Sequence, residues 1–259
     1  MTKCIWIATI VIGAAWWVLA AGCSEPSNRP AAQLSAKPAT QPAFDLGKLD
    51  LGEEDSNSAP PSKFFDSAAN AHHIVYVVDR SGSMAPTFEQ VRIEILKSIN
   101  KLQPEQDFTI VLFGDGSFIE GPQKRLVSGD LANKLAANNF LRDIIASGST
   151  TVLPALKRAF QILKSADASK PGRVIYLLSD GDFAGMSGGS TYTAADGRVL
   201  NGNEAVIQWL RDNNPKEEEK GLIHVFTFLY GNTDEDARKV METIAKDSGG
   251  RFKLIISDE

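Results

Sequence analysis

The segment Asp79-Arg80-Ser81-Gly82-Ser83-Met84 sets one carboxylate and two hydroxyls at alternate positions. All three are hard oxygen donors, which suit Mg2+, with Mn2+ or Ca2+ as the other candidates, better than soft metals. Gly82, between the serines, is expected to permit a tight turn that brings both hydroxyls inward. Two further segments offer the same chemistry. Gly148-Ser149-Thr150 can supply the Thr150 hydroxyl, and Ser179-Asp180-Gly181 can supply a second carboxylate. Asp79, Ser81, Ser83, Thr150 and Asp180 then form an all-oxygen set. Its two carboxylates balance a divalent cation without surplus charge. Its five donors leave an octahedron one short. The open position suits water or a partner's carboxylate, which the weakly compensated charge would attract.

Such a set works only if three separate segments meet at one edge of the fold. The pattern around them points that way. Residues 74–78, 108–113, 174–178, 223–229 and 252–256 are short runs of β-branched, aromatic and aliphatic residues. They are continuous rather than alternating, as expected of strands buried on both faces. Helical spacing lies between them: Phe88, Val91, Ile95, Ile99 and Leu102; Leu131, Leu135, Phe140 and Ile144; Leu156, Ala159, Phe160 and Leu163; a short stretch over 205–210; and Val240, Met241 and Ile244. Thr233, ahead of Asp234, Glu235 and Asp236, is expected to cap the last helix, and Gly249-Gly250 to end it. Strand and helix alternate. The expected fold class is therefore α/β, a doubly wound, Rossmann-like, mostly parallel sheet flanked by helices. Ligands of such sheets bind beyond the carboxyl ends of the strands, where Asp79 and Asp180 fall.

These three segments, in this order, resemble the metal-ion-dependent adhesion site of the von Willebrand factor A family. Gly249-Gly250-Arg251-Phe252 also resembles that family's lead into its final strand. The resemblance covers roughly 71–259. It implies a non-enzymatic protein-binding module whose partner completes the coordination with an Asp or Glu carboxylate. It also implies that Ser81 and Ser83 bind the metal directly, while Thr150 and Asp180 exchange direct for water-mediated contact when ligand binds. Ser149 stands where the family has a second glycine.

The chain carries 43% hydrophobic and 23% charged residues and a formal net charge of −5. That balance is ordinary for a globular domain and supplies no basic surplus for nucleic acid. The two cysteines, Cys4 and Cys23, both lie near the start, so neither a disulfide framework nor a cysteine zinc site is expected. Residues 1–22 form an apolar targeting segment behind Lys3. Leu19-Ala20-Ala21-Gly22-Cys23 resembles a bacterial lipoprotein cleavage box, which would make Cys23 the lipid-bearing residue. The alternative is an uncleaved single-pass anchor. Both place the domain on a membrane of the bacterial cell envelope, facing the periplasm or the exterior. Residues 23–70, rich in Pro, Ala and Ser, are expected to be a disordered linker, with the folded domain at 71–259.

The long Gly- and Ser-rich stretch 182–203, directly after Asp180, is a candidate specificity loop, with Phe183, Met186, Tyr192 and Arg198 as its contact residues. His72 and His73 are expected to be exposed or at the sheet edge, and His224 to be structural. Two other functions fit parts of the pattern. One is a structural subunit of an envelope complex whose metal only staples loops. The other is a Mg2+-dependent phosphohydrolase with Asp79 as nucleophile. Such enzymes usually carry a second aspartate where Ser81 stands, and the chain has no lysine in the matching role.

Overall fold

The computed structural model describes residues 59–181, 183, 190–214 and 222–256. The chain divides into two units, Met1–Asp50 and Leu51–Glu259. The targeting segment, Cys23 and Met186 lie outside the described residues. Among the described residues no helix is long and apolar enough to cross a membrane.

The domain opens with a hairpin of β1 (Pro61–Phe64) and β2 (Ser67–Asn70). A main sheet follows, built from β3 (His73–Asp79), β4 (Asp107–Gly114), β5 (Ser117–Glu120), β6 (Val127–Ser128), β7 (Arg173–Ser179), β10 (Ile223–Tyr230) and β11 (Phe252–Ile255). Its order is β11-β10-β7-β3-β4-β5, with β6 also on β4. The pairs among β11, β10, β7, β3 and β4 are parallel, while β5 and β6 run antiparallel to β4. The fold is the doubly wound α/β class read from the sequence. A second hairpin joins β8 (Thr191–Thr193) to β9 (Val199–Asn201).

Among the described residues five helices cover the sheet: α1 (Phe88–Asn100), α2 (Leu131–Arg142), α3 (Leu153–Lys164), α4 (Gly202–Asn213) and α5 (Glu235–Asp247). Strand periodicity sorts them into two layers. Val75, Val77, Ile175 and Leu177 face α3, α4 and α5. Ile74, Tyr76, Val78, Tyr176 and Leu178 face α1, α2 and the β1–β2 hairpin. Every residue of β3 is buried, as a continuous apolar run requires.

Four expectations need correction. Residues 61–70 belong to the domain, not to the linker. They have no Val, Ile or Leu, but Phe64 is buried and packs on Tyr76, Tyr176 and Phe228, with ring centroids 5.6, 5.4 and 4.9 Å away. Ser62 meets the Tyr176 hydroxyl at 2.7 Å, and Ser98 donates to the Lys63 carbonyl. Helix α2 forms where expected but turns another face inward. Ala137 and Leu141 are buried, while Leu131 and Leu135 are 83% and 57% exposed, because 3.6-residue periodicity puts the two pairs on opposite sides. The cap of α5 is Asp234, whose carboxylate accepts from the Asp236 and Ala237 amides, not Thr233. His73 is fully buried and held by Asp107 and the Asp167 carbonyl.

Candidate functional site

The carboxyl ends of β3 and β7 lie side by side, with Val78 in register with Leu178. Asp79 and Ser179 are thereby the next residues on adjacent strands. Asp79 is fully buried, and its Oδ2 accepts from the Ser179 hydroxyl at 2.7 Å. Its Oδ1 accepts from the Ser81 amide at 2.7 Å, which curls the chain back on itself. The Gly82–Met84 turn, a single 3-10 turn, then brings the Ser81 and Ser83 hydroxyls to 3.1 Å. Ser81 is buried and Ser83 exposed, so the pair spans from the sheet edge to the surface.

Gly82 is not the glycine on which this geometry depends. It lacks a left-handed φ, and a Cβ there would meet the Gly148 carbonyl at an ordinary 3.6 Å. The demanding position is Gly148. Its φ is +82°, and a Cβ would lie 2.5 Å from the Asp115 Cα. That close approach seats residues 143–152, which connect α2 to α3, against the site. The Gly82 amide donates to the Gly148 carbonyl at 2.9 Å, and the Asp115 amide to the Ser149 carbonyl at 2.9 Å. Thr150, half-buried, is the next residue along.

Asp180 follows β7 directly, half-buried, and its backbone carbonyl accepts from Asn232 Nδ2 at 2.6 Å. Gly181, with φ +84°, turns the chain away, and its amide donates to the Ser179 hydroxyl at 3.1 Å. Asp180 Oδ1 is buried and has no hydrogen-bond partner among the described residues. Burial pushes the Asp79 carboxyl up to about 6, and the Asp180 charge adds to the rise, against hydrogen bonds from Ser179 and Ser81 that lower it.

The donors fit a hard cation on two counts. Ligands in adjacent octahedral positions around Mg2+ at 2.0–2.1 Å lie roughly 3.0 Å apart, close to the separation of the Ser81 and Ser83 hydroxyls. The buried Asp180 Oδ1 is a hard acceptor whose desolvation is not offset by any hydrogen bond among the described residues. Asp79, Ser81, Ser83 and Asp180 thus stand on two neighbouring strand ends, with Thr150 on a loop tied to them.

The stretch 182–203 divides. Phe183 is fully buried in the core, so it cannot meet a partner. Tyr192 lies in the β8–β9 hairpin against α4, where its hydroxyl donates to Asp212 at 2.8 Å. Arg198 pairs with Asp196 at 2.7 Å across the same hairpin. Two residues that the sequence did not mark hold the site together, Ser179 and Arg80. Ser179 was legible only as part of the Leu178-Ser179-Asp180 strand end. Arg80 gave no signal.

Residues 74–183 match the model of the von Willebrand factor type A domain. Among curated proteins the chain is similar to inter-alpha-trypsin inhibitor heavy chain H1 of Mesocricetus auratus. The identity is 32% over 116 residues, 42% of this chain and 12% of that protein. Similarity to heavy chain H4 of Homo sapiens is 29% over 192 residues, 72% of this chain and 18% of that one. The chain spans under a fifth of the length of these relatives. Among solved structures it resembles the pilus adhesin SpaC from Lactobacillus rhamnosus GG. That likeness has a TM-score of 0.57 at 18% identity and covers 73% of this chain and 28% of that one. A von Willebrand factor type A protein from Catenulispora acidiphila gives 0.54 at 20% identity, covering 74% and 40%. Both likenesses are of fold.

Proposed function

We propose that this chain, whose residues 74–183 match the model of the von Willebrand factor type A domain, is a non-enzymatic, metal-dependent binding module that captures a protein ligand by an Asp or Glu side chain. The observation that carries this reading is the buried, unpartnered Asp180 Oδ1 at the end of β7, the strand next to β3, whose own end leads into the paired hydroxyls of Ser81 and Ser83. Asp79, Ser81, Ser83, Thr150 and Asp180 would hold Mg2+, or Mn2+ or Ca2+ in its place. The ion, when bound, supplies a Lewis-acidic centre with a position free for a carboxylate oxygen.

The protein's own part is to keep the set ready. Ser179 and the Ser81 amide orient the Asp79 carboxylate. The 3-10 turn fixes the two serines. Asn232 anchors the Asp180 backbone. Burial of Asp79 excludes water, which strengthens any charge interaction made there.

The remaining parts of the proposal concern display. We place the protein on a bacterial envelope membrane, held by lipid on Cys23 or by an uncleaved 1–22 anchor. Support comes from the apolar run behind Lys3 and from Ala20-Ala21-Gly22 directly before Cys23. The Pro60 carbonyl accepts from the Ala71 amide and from Gln106 Nε2, both at the amino ends of β3 and β4. Asp79 lies at the opposite end of β3 from these bonds.

The test is a magnesium titration of the full chain by calorimetry, wild type beside Asp79→Ala, followed by capture of acidic peptides with and without EDTA. Saturable binding lost in the variant, and capture lost in EDTA, are expected. Capture that survives EDTA would sink the reading.

A further inference from the structure

Residues 143–152 contain no helix or strand, yet they carry Thr150. A free connection of that kind would have to be ordered at a cost when ligand binds. Here it is already held. The Ser147 amide donates to the Arg80 carbonyl at 2.6 Å, next to the Gly82–Gly148 and Asp115–Ser149 bonds. Two guanidinium groups grip the neighbouring residues. Arg80 Nη1 donates to the Ile145 carbonyl at 3.3 Å and to the Ser147 hydroxyl at 3.1 Å. Arg92 Nη2 donates to the Ile144 carbonyl at 2.7 Å. Consecutive carbonyls are thus clasped from β3 on one side and from α1 on the other.

The clasp has an unfavourable component. Arg80 is 9% exposed, and the Nε atoms of both arginines are buried without a partner among the described residues. A buried cation with an unmet donor is destabilising unless its other contacts offset it. Arg92 has that offset from Glu89 at 2.5 Å and from the Phe88 ring, 5.7 Å from its guanidinium carbon. Among the described residues Arg80 has no carboxylate as a hydrogen-bond partner: its guanidinium donates to Ile145 and Ser147. Gly114 leaves room for the lower half of this side chain, since a Cβ there would lie 3.0 Å from Arg80 Cγ.

We propose that Arg80 is a positioning residue, braced by Arg92, that clasps residues 143–149 to the 79–84 turn and so presents Thr150 to the site before ligand arrives. The role deepens the metal reading above and rests on it. It needs one nitrogen, Nη1, held within reach of two acceptors by a rigid planar group, whereas a lysine ammonium sits on a shorter and more flexible stem.

The experiment compares the full chain as wild type, Arg80→Lys, Arg80→Met, Arg92→Met and Ser147→Ala. Two quantities are read: amide hydrogen exchange in EDTA, and the Kd for MgCl2 by calorimetry. In Arg80→Met the Ser147 and Gly82 amides should exchange about tenfold faster while that of Val77, in mid-β3, keeps its protection. The Kd should weaken about tenfold, the lower bound expected when the two charged hydrogen bonds from Nη1 are lost. Arg80→Lys should follow Arg80→Met, and Arg92→Met should show about a threefold change in both. Exchange and Kd within about twofold of wild type in Arg80→Met overturn the proposal. So does a uniform loss of protection that includes Val77, the mark of a merely structural residue. If Arg80→Met does not fold, Ser147→Ala removes one acceptor without touching β3 and is judged by the same criteria. A wild type that takes up no magnesium overturns the metal reading, and the exchange comparison alone then decides whether the clasp exists.

Discussion

Asp79 and Ser179 occupy the ends of adjacent parallel strands, and the serine hydroxyl donates to the Asp79 carboxylate across 2.7 Å in a fully buried setting. This bond joins the two strand ends that carry the carboxylates, and the same hydroxyl accepts from the Gly181 amide where the chain leaves β7. One small side chain therefore fixes both halves of the site.

Replacing it should show this. Ser179→Ala leaves one Asp79 oxygen and the Gly181 amide short of a partner. A loss of about 1–3 kcal/mol is expected, read by urea denaturation. Magnesium affinity should fall as well.

Asp79 gives the metal-free domain a defined pH dependence. Its folded value of about 6 lies above the ordinary 3.8. A raised folded value means that the stability contribution is complete below 3.8 and is lost as pH rises through about 6. In EDTA, wild type should gain about 1 kcal/mol between pH 7 and pH 5 relative to Asp79→Asn, measured by denaturation at the two pH values. Magnesium affinity should run the other way and weaken below about pH 6, because the proton competes for the carboxylate.

Gly148→Ala should damage the site without a change of polarity. The left-handed φ and the 2.5 Å approach to Asp115 force the connection outward. A cost of about 1–3 kcal/mol and a weaker magnesium Kd are expected, whereas Gly116→Ala, at a positive φ with open space around it, should cost stability but spare the Kd.

The first hairpin sets the true start of the domain. Phe64→Ala should cost about 3–5 kcal/mol, since the ring is buried among Tyr76, Tyr176 and Phe228. A chain begun at residue 71 should melt well below one begun at residue 59, as circular dichroism would show.

His73 should titrate above the ordinary 6.5. Burial works to lower it, but the Asp107 hydrogen bond and charge and the Asp167 carbonyl outweigh burial. Both ring nitrogens face acceptors, at 2.8 and 3.0 Å, which favours the doubly protonated ring. The raised value means its contribution is complete below 6.5 and is lost as pH rises through the folded value. In Asp107→Asn the His73 value, followed by NMR, should fall.

Much of this was open to the sequence because it is local. Four core strands, β3, β4, β7 and β10, were legible as continuous apolar runs, since burial on both faces leaves no polar alternation, while β11 is a half-buried edge strand. The oxygen donors were legible because strand ends in this fold class point ligands to one edge. Composition misled at 61–70: a few aromatic residues among Pro, Ser and Ala anchor a hairpin only if a partner surface exists, and Tyr76, Tyr176 and Phe228 come from strands far along the chain. The inward face of α2 likewise depended on where the helix lies, so Ala137 and Leu141 outranked the larger Leu131 and Leu135. Phe183, read as a contact residue because it follows Asp180, proved to be core. The sequence by itself determined which residue types could hold a cation and which runs would be strands, because both follow from chemistry within a few residues. Only the tertiary structure decided that Ser179 orients Asp79, that Gly148 rather than Gly82 is the indispensable glycine and that Arg80 clasps residues 143–149. Each of these is a contact between segments far apart in the chain, created when parallel strands align their carboxyl ends.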